Sequence, residues 1–422
     1  MNIPVKINKT FTSISSIILS FGCILFSIAA SPLPAQAPIG LKAALDSARA
    51  NNMSFKNEKL KVEYQGLLRK TGANIPQALL FVENGQINSR YVDNRFGINQ
   101  SVNFPTVYAK RKNIFDEEYT LGTIGLQLKE LDLMKQVQGA YYHLLYLQQK
   151  EHLLLKNDSL YSAFLDKSIM RLRAGESNLL EKSSAETSRN QIAMQLRALQ
   201  QDKAIYLLQL QWLLNTRSQF IPADSFKLEL PVIDSGIWAE HPELKVLWQE
   251  KLVRKAYTQL EKNKLLPDLN ITYSNMSMYG VGADNVFYDR KTRFQALQFG
   301  IGIPVFSRAQ KSSITASRSQ VKIAENNYLI AVNSFANHWQ QTIALYMKYY
   351  ENIEYFETTG LKNADLIIEI ANQQFSKGEI NYLGWAMLIN QALVTQNEYL
   401  DSVNGNNEAV IELKYLMGTI NN

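Results

Sequence analysis

The chain has 422 residues, 46% of them hydrophobic, a formal net charge of +6 and a single cysteine, Cys23. Length and apolar content allow a sizeable core, while the small positive balance, without basic blocks or aromatic-basic interleaving, points away from nucleic acid. One cysteine rules out an intrachain disulfide framework.

Lys6 and Lys9 precede an apolar run from Ile14 to Ala30, and Ala35-Gln36-Ala37 follows it. This is the order of a secretory signal peptide over residues 1–37, cut after Ala35 or Ala37. Pro38 is a poor residue just after a cut, which favours Ala35. The run is shorter than the about 20 residues of a helical membrane span. Cys23 lies inside it, so the mature chain has no thiol; Leu19-Ser20-Phe21-Gly22, with bulky Phe21, is a weak lipidation signal.

From Leu41 the residues Leu41, Ala44, Leu45 and Ala48 recur at helical spacing, continuing through Leu60 and Leu67. Pro76 ends this first helix, because the residue before a proline leaves the helical region. Two strands are expected next, Gln77–Val82 and Phe96–Phe104, and in the second Phe96, Ile98, Val102 and Phe104 alternate with Gly97, Asn99, Ser101 and Asn103. Pro105 then opens a stretch without a helix breaker until Gly175. Leu126, Leu133, Ala140, Leu147, Leu154 and Tyr161 fall at heptad positions, beside a seam of Val137, Leu144, Leu165 and Leu172. A helix this long is a rod of about 100 Å. The return helix repeats the pattern with Ile192, Leu199, Tyr206 and Leu213.

The segment 216–236, with Pro222 and Pro231, breaks periodicity; it reads either as a plain linker or as a small equatorial belt on the rods. The order of events then recurs. Pro267 precedes Leu269, Ile271 and Tyr273, which alternate with Asn270, Thr272 and Ser274, and a Gly- and Asp-rich loop leads to Leu297, Phe299, Ile301 and Ile303, which alternate with Gln298, Gly300 and Gly302. Pro304 closes the pair, with about eight more residues between the prolines than in the first copy, which fits a longer loop. Ile314, Val321, Tyr328 and Phe335 repeat at sevens, with Tyr349 and Phe356 resuming the series. A non-helical stretch is expected after Asn404-Gly405.

Both rods break at the same motif. Gly175-Glu176-Ser177-Asn178-Leu179-Leu180 and Gly378-Glu379-Ile380-Asn381-Tyr382-Leu383 share Gly, Glu, Asn and Leu in order. Glycine leaves a helix through a positive φ and asparagine caps the next helix, so both are hairpin tips. The chain is a tandem duplication, with repeats at 38–215 and 237–422 joined by 216–236.

The strands carry one apolar and one small polar face, as in a half-buried soluble sheet or in a membrane barrel with its apolar face outward. The rods exclude a compact domain. Four strands cannot close a membrane barrel, which takes at least eight, whereas three copies supply twelve strands and a tube of rods.

With that duplication, Leu266-Pro267-Asp268-Leu269, Phe299-Gly300-Ile301-Gly302-Ile303-Pro304-Val305-Phe306 and the two glycine tips, nearly the whole mature chain resembles the TolC family of outer-membrane efflux proteins. The Phe299–Phe306 run, Ala309-Gln310-Lys311 and Ile323-Ala324-Glu325-Asn326-Asn327-Tyr328 are similar to its heavy-metal branch, the cobalt-zinc-cadmium and copper-silver systems. The resemblance implies a mainly α fold with a membrane β-barrel: a homotrimer with a 12-stranded barrel in the outer-membrane lipid and an α-helical tunnel in the periplasm. It further implies a periplasmic adaptor, or membrane fusion protein, and an inner-membrane pump of the resistance-nodulation-division type. Gly175, Glu176, Ser177, Asn178, Gly378, Glu379, Ile380 and Asn381 would form the adaptor-docking tips, and Leu269, Ile271, Tyr273, Leu297, Phe299, Ile301 and Ile303 the lipid face. Well-known members carry acidic pore-narrowing residues where this chain has Gly384 and Met387. Glu176, Glu379 and Glu181 are the acidic residues left near the tips.

No cofactor or enzyme is expected. His143, His152, His241 and His338 are scattered, and His338, on a seam with Ala324, Ala331 and Leu345, reads as a packing residue. Met276 and Met278 read as packing on an apolar strand face rather than as soft metal ligands. Gly300-Ile301-Gly302 lacks the third glycine of a dinucleotide loop, with Val305 in its place. Two classes remain: an export duct, whose cargo is metal ions, drugs or polypeptides, and a structural periplasmic coiled coil with a soluble β-domain.

Overall fold

The computed structural model describes residues 37–226 and 240–418. The signal segment through Gln36, with Cys23, and the second half of the middle segment lie outside the described residues.

Two helices, α1 (Leu41–Asn51) and α2 (Met53–Leu68), follow the short strand β1 (Ala37–Ile39). One continuous first helix was the expectation; the chain instead turns at Asn52, where ψ is 123°. The buried Asn52 side chain explains the break, because it accepts from the Phe55 amide at 3.0 Å and donates to the Leu213 carbonyl at 2.9 Å. Capping a new helix and pinning it to a distant one satisfies groups that a straight helix would leave buried without partners.

Strands β2 (Leu79–Gly85) and β3 (Asp93–Val102) lead into α3 (Pro105–Arg173), a helix of 69 residues. Pro105 sits in its first turn, where the missing N–H costs nothing. Its heptad residues Leu133, Ala140, Leu147, Leu154 and Tyr161 are all buried. Helix α4 (Leu179–Leu214) returns along it.

The described part of the middle segment is packed rather than slack. Strand β4 (Phe220–Pro222) pairs in parallel with β1, and Asp224 accepts from the Leu41 amide at 2.8 Å and from the Tyr141 hydroxyl at 2.6 Å. Burial, then the Asp224 carboxylate, push the Tyr141 phenol above its usual range.

The second repeat runs through α5 (Pro242–Asn263), β5 (Asp268–Ser277), the small hairpin β6 (Gly280–Val281) and β7 (Phe287–Tyr288), then β8 (Arg293–Gly302) and α6 (Arg308–Tyr355). A π-turn at Phe356–Gly360 separates α6 from α7 (Leu361–Lys377), and α8 (Tyr382–Leu416) returns. The expected non-helical stretch after Asn404-Gly405 is corrected: α8 passes straight through it. Gly405 is there for close approach, since a Cβ at that position would lie 2.5 Å from the Tyr349 ring.

Strands of both repeats form one antiparallel sheet in the order β2-β3-β5-β8. The two repeats thus meet at the β3–β5 pair, with Ile98 opposite Tyr273 and Val102 opposite Leu269. Phe81 covers Gly97 across the β2–β3 pair, where a Cβ would come within 2.6 Å of that ring.

Candidate functional site

The two tips are built by the same bonds. Gly175 and Gly378 have φ of 76° and 75°. Behind Gly175 its own amide donates to the Leu172 carbonyl at 3.1 Å and the Glu176 amide to the Arg171 carbonyl at 2.9 Å; behind Gly378 the corresponding bonds reach Phe375 at 3.1 Å and Gln374 at 2.9 Å. This paired closure satisfies the last carbonyls of a helix and needs a left-handed residue, which glycine supplies. The returning helices are capped by Asn178, whose Oδ1 accepts from the Glu181 amide at 3.0 Å, and by Asn381, which accepts from the Gly384 amide at 2.9 Å.

Around that shared frame the side chains differ. Glu176 and Glu379 are exposed. Ser177 donates to Glu181 at 2.6 Å, and Glu181 also lies 3.5 Å from Arg171. Glu181 is therefore tied up within the first turn and is not a free carboxylate at a pore mouth. Ile380 is half-buried against an aromatic cluster in which Phe164 stacks on Trp385, with ring centroids 4.1 Å apart, and Tyr382 packs beside them. Met387 is 67% exposed. A notch of about 410 Å3 separates the tips, lined by Lys167, Arg171, Glu176, Phe375, Lys377 and Gly378 among others. Sequence reasoning missed both Phe164 and this notch. Phe164 lies on neither heptad seam, and its three-residue spacing from Tyr161 is the available signal.

At the other end of the rods the expected apolar face is present. Leu269 lies opposite Ile301, Ile271 opposite Phe299 and Tyr273 opposite Leu297, so all six side chains share one face. Leu80, Val82, Phe96, Ile98 and Val102 extend it across β2 and β3. The face is uncovered: Phe299 is 71% exposed, Ile301 66% and Ile303, just past the strand, 71%. Exposure of a contiguous apolar surface on this scale marks an interaction with lipid or another chain. The outer edges of β2 and β8 are unpaired, and the sheet is open among the described residues. Met276 departs from its expected place: it lies opposite Phe294 on the other face, with its sulfur 3.4 Å from the Asn88 amide and 3.8 Å from Arg95.

The histidines do not converge. His241 is buried and caps α5, accepting from the Glu243 amide at 3.2 Å, and burial lowers its pKa to about 4, so it is neutral. His143 stacks on Tyr206 and lies 3.7 Å from Glu408. His338 was expected to pack in the interior; its side chain is instead 49% exposed, 3.6 Å from Glu412, because the seam turns outward there. Among the described residues no three His, Cys, Asp or Glu side chains are grouped to hold a metal ion, and no helix is long and apolar enough to cross a membrane.

No family model matches the sequence, and no curated protein matches it. Solved structures do. CusC, described in terms of folding and transmembrane channel formation, aligns over 93% of this chain and 95% of its own, at 15% identity and a TM-score of 0.74. The outer-membrane channel OprN aligns over 90% of each chain at 14% identity with a TM-score of 0.77. The CmeC outer-membrane channel of Campylobacter jejuni aligns over 90% of this chain and 85% of its own, at 14% identity and 0.76. These neighbours are channels rather than enzymes. The chain has the fold of the TolC-type outer-membrane channels.

Proposed function

We propose that this protein is the outer-membrane exit duct of a tripartite efflux system, with three copies closing their sheets into one twelve-stranded barrel and their rods into a periplasmic tunnel. The observation that carries this is the open four-stranded sheet, which has an uncovered apolar face and two unpaired edges. In lipid the apolar face is stable but an open edge is not, so neighbouring copies must supply β2-to-β8 pairing. The rods also carry apolar residues, Met53, Leu60, Tyr64 and Leu67 on α2 and Ile323 and Ile330 on α6, all exposed in the single chain. Three is the copy number of TolC-family channels.

The tips then lie farthest from the membrane and present six similar turns to a periplasmic adaptor, with Glu176, Ser177, Glu379 and Ile380 beside each glycine and asparagine. An inner-membrane pump of the resistance-nodulation-division type would drive export. The similarity around Phe299–Tyr328 favours heavy-metal cations as cargo, and deleting the gene would then sensitise cells to the same metals as deleting the pump. Sensitivity to drugs or detergents alone would move the cargo to another class.

The test of the duct is migration of detergent-extracted outer membranes on a gel. A heat-sensitive trimer is expected, and a monomer recovered in the soluble periplasmic fraction would overturn the reading in favour of a structural coiled coil.

A further inference from the structure

Arg293 opens β8 at the end of the sheet remote from the rods. Its position in the alternation places it on the same face as Leu297, Phe299 and Ile301. On that face the apolar rows stop just below it, giving way to Asn84, Asn94, Asn275 and Gln295. The guanidinium lies over the Phe96 ring, 5.0 Å from its centroid. Its Nε donates to Asn275 Oδ1 at 2.5 Å, one terminal nitrogen to Asn94 Oδ1, and the other to the Asn275 carbonyl at 3.2 Å.

All three acceptors are neutral. Among the described residues no carboxylate pairs with Arg293, whereas Arg95, on the opposite face, holds Glu83 at 3.0 Å. The nearby Asp289 is occupied by the amides of Lys291 and Thr292 and by the Thr292 hydroxyl, each at 3.0 Å. Arg293 is thus a positive charge fixed in place by two asparagines. Two of the five N–H donors of a guanidinium remain after those three bonds. Arg290 and Lys291, both exposed, add positive charge alongside.

We propose that Arg293 anchors a site for the phosphate of a membrane lipid whose acyl chains lie along Leu297 and Phe299. The inference rests on reading the apolar face as the lipid-facing wall of the duct. A fixed guanidinium with spare donors matches phosphate oxygens better than a flexible ammonium does. The apolar rows beside it distinguish a lipid phosphate from a free one. The two asparagines hold the fork so that binding does not have to order it.

The test uses the full-length protein in mild detergent, dioleoyl phosphatidic acid as probe and native mass spectrometry as readout. The wild type should retain phosphatidic acid in preference to dioleoylglycerol, which has the same chains without phosphate. Arg293→Gln should lower that retention at least tenfold, and Arg293→Lys should fall between. Asn94→Asp, which sets a carboxylate against the retained arginine, should also lower it and serves where Arg293→Gln fails to assemble. Equal retention by the wild type and both the Gln and Asp variants would overturn the site, as would equal retention of dioleoylglycerol. Displacement by inorganic phosphate at equal concentration would overturn the assignment to a lipid. Recovery of the wild type from the soluble fraction would instead sink the duct reading itself.

Discussion

The first and second tips share their closing bonds and their asparagine caps, yet they are held very differently. Four residues past the glycine the first repeat has Leu179, 66% exposed, and the second has Tyr382, 6% exposed. Seven residues past, Lys182 stands where the second repeat has Trp385, which is 1% exposed and donates to Asn372 at 2.9 Å. The rods differ too. Helix α3 runs unbroken, whereas its counterpart is interrupted by the π-turn at Phe356–Gly360. The two tips share the chemistry of chain reversal, which tolerates little change, while their surroundings differ. The second tip is nailed into the bundle by aromatic packing, whereas the first leaves Leu179 and Leu180 exposed and touches the aromatic cluster through Arg171, which lies over the Phe375 ring.

The sharpest way to break this comparison is to remove the nail. Trp385→Ala should cost about 3–5 kcal/mol, the range for deleting a large buried aromatic side chain, while Lys182→Ala should be nearly silent. Hydrogen exchange at residues 378–383 and 175–180 reads both. Fast exchange at the second tip alone is expected, and loosening of both tips together would show that they are one cooperative unit.

The strands offer the next contrast. Counting back from the closing prolines, the apolar Phe299 corresponds to the polar Gln100. Phe299→Arg should cost about 2–4 kcal/mol if the side chain faces lipid near the bilayer midplane, and Gln100→Arg should cost less because a polar residue is already accommodated there. Trimer yield in outer membranes measures both. Normal assembly of the Phe299→Arg protein would remove that residue from the lipid face.

The tips and the apolar face were legible in the sequence because each rests on local rules: a glycine for positive φ, an asparagine to cap, and strict alternation for a strand with one apolar side. What escaped depended on residues far apart in the chain. Asn52 looks like an ordinary helical asparagine until Leu213 comes beside it, and Gly405 reads as a helix end until the Tyr349 ring fills the space a Cβ would take. Arg293 owes its fixed position to Asn94, from the other repeat. The exposed His338 and the reversed face of Met276 were misread for the same reason, since periodicity ranks a face as apolar without saying which neighbour covers it.

The caps test whether the reversals are as equivalent as their bonds. Asn178→Ala and Asn381→Ala each remove one cap and should each cost about 1 kcal/mol. Equal losses in thermal stability are expected. A much smaller loss at Asn381 would mean that the aromatic cluster holds the second tip without help from its cap.

The smallest effect on stability, and the most informative about function, is expected from the glutamates. Glu176 and Glu379 follow the glycines, are exposed, and have no side-chain hydrogen bond or ion pair among the described residues. Only their backbone amides take part in the turns, so Gln at both positions should leave the reversals and the trimer intact, within the about 0.5 kcal/mol typical of surface substitutions. If the tips meet an adaptor, the carboxylates sit where the contact must form, and cross-linking from the tips to the adaptor should fall together with export. Making the two changes separately tests the asymmetry. The first tip, with no buried aromatic side chain in its returning turn, can shift to follow a partner more easily than the anchored second tip, so Glu379→Gln should weaken cross-linking more than Glu176→Gln. Unchanged trimers with undiminished cross-linking and export in the double variant would leave Glu176 and Glu379 as parts of the turn alone.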